Sequence, residues 1–130
     1  MLNKKIEIKL GGVEIPLWFN NYASAELQKM YGVDITTLMT VVIEKLQDNY
    51  LILLSDLIKI GIKGNYLAKE IEKPEYFSRI SELLAEEKEE NLLPIWIDCW
   101  EVFKEHMGLN IPQEETVKKK VVKNTKKAQS

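Results

Sequence analysis

Two adjacent glycines, Gly11 and Gly12, separate two stretches in which aliphatic residues occupy every second position. Lys4-Lys5-Ile6-Glu7-Ile8-Lys9-Leu10 has the period of a strand with one face on a core, and Val13-Glu14-Ile15-Pro16-Leu17-Trp18 continues it. A Gly-Gly link accepts the positive φ that a primed hairpin turn demands. The pattern therefore predicts an N-terminal β-hairpin. Pro16 has no N–H to donate to a ladder, which puts the second strand at an edge or ends it early.

The rest reads as helix. Asn20 or Asn21 is placed to cap a helix running to about Tyr31, with Ala23, Leu27, Met30 and Tyr31 on one face and Gly32 as a left-handed stop. Asp34 caps a second helix to about Gln47, burying Leu38, Met39, Val41 and Val42, and Asp48-Asn49 interrupts it. A third runs from Tyr50 to Lys63, where Gly64-Asn65 stops it. Its Leu54, Leu57, Ile58, Gly61 and Ile62 mark it as the most buried helix. After Pro74 a fourth helix spans Glu75 to Glu90 on Tyr76, Ile80, Leu83 and Leu84. The acids Glu86, Glu87, Glu89 and Glu90 then sit at its negative pole and favour fraying. Pro94 suits the first turn of a fifth helix, which lines Trp96, Cys99, Trp100, Phe103 and Met107 on one face and ends at Gly108. Pro112 confirms the stop.

The expected fold is α+β, a hairpin packed against four to five helices, in one domain over 1–113. Charge separates that body from the C-terminal segment. Residues 114–130 carry six lysines against two glutamates, a net of +4, and 1–113 carry twelve basic against eighteen acidic groups, a net of −6. The basic segment has only Val117, Val121 and Val122 as large apolar groups. That is too little to offset ordering entropy, so it is expected to be disordered when free.

Several function classes lose support at this point. The longest apolar run, Tyr50 to Leu54, is far short of the roughly 18 residues a membrane span needs. Met1 to Leu10 lacks the apolar core of a secretory signal. One cysteine, Cys99, forms no intrachain disulfide, and a reducing intracellular setting is the simpler reading. His106 is the only histidine, about 10 Å along a helix from Cys99, too far for a catalytic pair. One Cys and one His do not make a zinc site. Asp98, Glu101 and Glu105 read as a solvent-facing stripe. Gly61 to Asn65 lacks the spacing of a phosphate loop. No catalytic residue, cofactor or metal is therefore expected.

Binding is the remaining theme. Trp18, Phe19, Trp96, Trp100 and Phe103 are candidate anchors for a protein partner, because Trp is enriched in binding hot spots, although core packing would use the same residues. Lys118, Lys119 and Lys120 lead the basic segment, which can steer an acidic partner or grip phosphate without reading sequence. Arg79 is the only arginine, and no helix is basic along one face, so base readout is not visible.

The order of patterns over residues 6–63 resembles the tail assembly chaperones of long-tailed phages and prophages. The likeness lies in five pieces. They are the strand and turn Ile6 to Gly12, the strand Val13 to Phe19, the helix containing Ala25-Glu26-Leu27, its close at Tyr31-Gly32-Val33-Asp34, and the aliphatic helix Leu54 to Lys63. The resemblance implies a non-enzymatic assembly factor in the bacterial host cytoplasm. Such a factor coats the tape-measure protein, keeps its helical stretches soluble and recruits tail-tube protein. It also implies that a longer, frameshifted form can exist. A homo-oligomer is compatible. The alternatives are a small DNA-associated regulator gripping phosphate through its lysines, or a helical interaction module with another partner.

Overall fold

A computed structural model describes residues 4–108. The chain forms β1 (Lys5–Leu10), β2 (Val13–Trp18), α1 (Asn21–Tyr31), α2 (Ile35–Asp48), α3 (Tyr50–Lys69), a 3₁₀ turn (Glu75–Arg79), α4 (Ile80–Glu86) and α5 (Glu89–Met107). This is the α+β arrangement of a two-stranded hairpin with five helices. The expected disorder of 114–130, with Lys118, Lys119 and Lys120, lies outside the described residues.

The hairpin follows its alternation. Ile8, Leu10, Ile15 and Leu17 are buried, while Lys5, Glu7, Lys9 and Glu14 face out. Gly11 and Gly12 have φ of 59° and 81°, the positive pair that a type I′ link requires. The amide of Phe19 donates to the Lys4 carbonyl at 3.0 Å, which fixes the ladder's phase. Two-residue alternation then places the Glu7–Pro16 pair at a non-hydrogen-bonded position, where the missing N–H of Pro16 costs no ladder bond.

Local caps fall where side-chain chemistry puts them. Asn20 Oδ1 accepts from the amides of Tyr22 and Ala23, both at 3.0 Å, and Gly32 ends α1 at φ 68°. Asp34 Oδ1 accepts from the Thr37 amide at 3.1 Å and starts α2. Asn49 Oδ1 accepts from the Leu51 amide at 2.8 Å and starts α3. On α1 the outcome differs at Met30, which faces solvent while Ser24 is buried.

Helix α3 is the axis of the core, and α1, β2, α2, α4 and α5 all pack on it. Its buried residues include Leu53, Leu54, Leu57, Ile58, Ile60 and Ile62. Gly64 and Asn65 do not stop it. They are buried inside it, and α3 continues to Lys69. The reason is packing. A Cβ on Gly64 would run into the Trp18 carbonyl oxygen and lie 2.8 Å from Asn20 Oδ1; one on Gly61 would lie 2.9 Å from Leu17 Cβ and 3.2 Å from Phe19 Cζ. The glycines make the shallow track in which β2 crosses the helix, and Asn20 Nδ2 locks the crossing by donating to the Gly64 carbonyl at 3.1 Å.

The segment expected as a fourth helix is divided. A 3₁₀ turn covers Glu75–Arg79, and α4 ends at Glu86. Helix α5 begins at Glu89, so Pro94 lies within it rather than in its first turn. The acidic run is accordingly not a frayed C-terminus. Glu89 and Glu90 occupy the first turn of α5, where the helix dipole favours them. Glu87, between the helices, accepts from the Gly11 amide at 2.9 Å and from Asn91 Nδ2 at 2.7 Å. The Asn91 bond, then the Gly11 bond, holds its carboxyl below the usual carboxylate range. This residue joins the hairpin turn to the α4–α5 corner.

Candidate functional site

Helix α5 carries two apolar stripes side by side. The first, Leu92, Ile95, Cys99 and Phe103, recurs at i, i+3, i+7 and i+11 and is buried. The second, Leu93, Trp96, Ile97 and Trp100, recurs at i, i+3, i+4 and i+7 and looks outward. Leu93 is 55% and Ile97 48% exposed, and both tryptophans are half-buried. Large aliphatics at that exposure on consecutive turns of one helix form a contiguous patch.

Aromatic contacts stiffen this face from below. Phe19 meets Phe103 edge to face at 6.1 Å between centroids, Phe103 stacks on Trp100 at 6.0 Å, Trp100 stacks on Trp96 at 5.2 Å, and Trp96 meets Tyr50 edge on at 5.7 Å. The series runs from the centre of the core to the surface. Phe19 and Phe103 are fully buried, so they are core residues and not the surface anchors expected from the sequence. Trp96 and Trp100 are half-buried and pack against the core cluster at the edge of this series. Trp18 is separate. It sits half-buried on the hairpin with the Lys5 ammonium 4.1 Å over its ring, across the strand pair Lys5–Trp18.

Beside the stripe lies an open groove of about 890 Å³, lined by Tyr50, Glu89, Glu90, Leu93, Pro94, Ile97 and Asp98. Its lining combines aliphatic and aromatic groups with three carboxylates. Pro94 adds a polar feature. It has no N–H, so the Glu90 carbonyl lacks the donor a regular helix would supply. A smaller groove of about 480 Å³ shares Pro94 and Asp98 and reaches the hairpin at Glu7 and Gly11. The acidic character thus continues across the α5–hairpin junction. A third hollow, of about 370 Å³, lies between α3 and α4 around Ile52, Ser55 and Ala85.

The residues considered for catalysis lie elsewhere. Cys99 is in the core, and burial, with Asp98 nearby, pushes its thiol up to about 12. It stays protonated at neutral pH. Burial also pushes His106 down from its ordinary value, with the Lys4 charge acting in the same direction. Glu101 contacts Lys104 Nζ at 3.4 Å. Among the described residues no group of three or more His, Cys, Asp or Glu is arranged to hold a metal ion. No helix among them is long and apolar enough to cross a membrane.

Sequence reasoning named Trp96 and Trp100 and missed Leu93, Ile97 and Tyr50. The signal for Leu93 and Ile97 was present as their i, i+4 spacing. Reading Pro94 as a helix start hid it, because Leu93 then fell outside the helix. No family model, curated protein or solved structure matches the chain.

Proposed function

We propose that the protein is a non-enzymatic binder of amphipathic helices in another protein, acting as a tail assembly chaperone of the kind its N-terminal half resembles. The supporting observation is the outward stripe Leu93, Trp96, Ile97 and Trp100 beside the acid-rimmed groove. A helix laid into such a groove buries its own i, i+4 apolar residues on Leu93 and Ile97. Trp96 and Trp100, already stacked, lose little conformational freedom on binding, which favours them as hot spots. Glu89, Glu90 and Asp98 select partner helices with lysine or arginine flanking the apolar positions.

On this reading the occupant is a helical stretch of tape-measure protein in the bacterial host cytoplasm, and tail-tube protein is recruited to the complex. No cofactor takes part. The test is co-expression with the tape-measure protein of the same genome. The expected result is more soluble tape-measure protein that co-purifies with this chain. Insoluble tape-measure protein with no co-purification would defeat the reading.

A further inference from the structure

We infer that the outward face of α2 pairs two copies of this chain, antiparallel, about a two-fold axis through Met39. Neither the α5 stripe nor its groove takes part.

Three observations carry it. The first is an uncovered apolar ridge. Helix α2 packs on α3 and α1 and buries only Leu38 and Val42. Ile35, Met39 and Ile43 recur at i, i+4 and i+8 and form one ridge beside that buried side. Ile35 is 50% and Ile43 41% exposed, and Met39 lies half-buried between them. The exposed Thr36 and Thr40 run alongside.

The second is an absence of charge. Residues 35–43 hold no charged side chain, in a chain of which 29% is charged. Such a face has nothing to attract a partner chosen by charge, and nothing to repel its own copy. The charges at its ends are turned aside. The Asp34 carboxylate accepts from the Thr36 hydroxyl at 2.7 Å and from the Thr37 amide at 3.1 Å, so it points back onto its own helix. Glu44 is about 100° around the helix from Ile43.

The third is symmetry. A contact between two identical surfaces requires a surface that matches its own image under two-fold rotation. The ridge Ile35, Met39, Ile43 reads the same in both directions. Antiparallel pairing sets Ile35 on the partner's Ile43 and Met39 on the partner's Met39. It also aligns the two helix dipoles favourably. Methionine is unbranched and polarizable, which suits it to meeting itself at the axis. Helix α2 is about 21 Å long and about 10 Å across, so the contact is smaller than the roughly 1,200 Å² of a standard interface. The dimer is therefore weak, and its population follows protein concentration.

Sedimentation equilibrium of the full chain tests this from roughly 1 µM to 1 mM, a range that brackets a weak interface. The average mass should rise from the 15.1 kDa of one chain towards twice that value. Ile43→Lys places two like charges in the paired ridge and should weaken association about tenfold or more. Its circular dichroism should match the parent, because the site is exposed. L93S/I97S should associate as the parent does. The position of the axis is read by a disulfide. Under mild oxidation Met39→Cys should give a covalently linked dimer several-fold faster than Ile52→Cys, whose site on α3 is 56% exposed. The natural thiol, Cys99, is buried and stays protonated, so it does not compete. A mass of one chain at every concentration overturns the inference. So does association unchanged by Ile43→Lys, or lost in L93S/I97S, and so does a Met39→Cys link no faster than the Ile52→Cys control.

Discussion

Gly64 lies so close beneath the carbonyl oxygen of Trp18 that a side chain there would overlap it. The end of β2 therefore rests on the backbone of α3, and this contact helps set the position of the hairpin. Gly64→Ala would gain about 1 kcal/mol in helix propensity. It should nonetheless lose about 1–3 kcal/mol or more net, because a backbone oxygen yields less readily than a side chain. Gly61→Ala presses on Leu17 and Phe19 side chains and is expected to cost less. Urea unfolding of the two variants checks both sign and order.

This contact also explains what could and could not be read from the sequence. The hairpin, the Asn20 and Asp34 caps, and the stops at Gly32 and Gly108 are local chemistry, visible to anyone reading a few residues. Gly64 and Pro94 carry equally strong local signals, and there the signals misled. Gly64 is a packing surface because β2 crosses it, and Pro94 lies at the sixth residue of α5, where its missing N–H leaves the Glu90 carbonyl without a helical donor. Neither placement follows from the residue's local preference. The aromatic residues divide the same way. Nothing in the spacing of Trp96, Trp100 and Phe103 says which turn of α5 will meet Phe19 from the hairpin.

The true end of α3 offers a second test. Glu70 closes the helix at φ 56°, the only non-glycine residue among those described with positive φ. That conformation costs an L-residue roughly 1–2 kcal/mol. Glu70→Gly is expected to raise stability by about 1 kcal/mol, read as a higher denaturation midpoint with an unchanged slope.

The depressed His106 fixes a pH dependence. The folded protein takes up the imidazole proton less readily than the unfolded chain, so the unfolded state binds more protons just below the ordinary value. Stability should be full above about pH 6.5 and decline as pH falls through that value toward the lower folded value. Melting temperature is expected to drop over this window, before carboxylates such as Asp34 and Glu87 titrate. In His106→Gln this part of the pH profile should flatten.

The aromatic series predicts unequal costs along its length. Phe103→Ala opens a cavity in the core against Phe19 and should cost about 3–5 kcal/mol. Trp100→Ala removes a half-buried ring and should cost clearly less. Thermal melts of the two variants, compared with the parent, test whether the series runs from core to surface as described.

The outward stripe of α5 carries the functional account, and one measurement bears on it most directly. Leu93→Ser with Ile97→Ser changes two residues that are 55% and 48% exposed. Surface changes of this kind usually shift stability by no more than about 0.5 kcal/mol each, so the melting temperature should be close to that of the parent. The full-length double variant, co-expressed with the tape-measure protein, should fold normally and fail to pull it down. A normally folded variant that still co-purifies with its partner as well as the parent would contradict the assignment of α5 as the binding face.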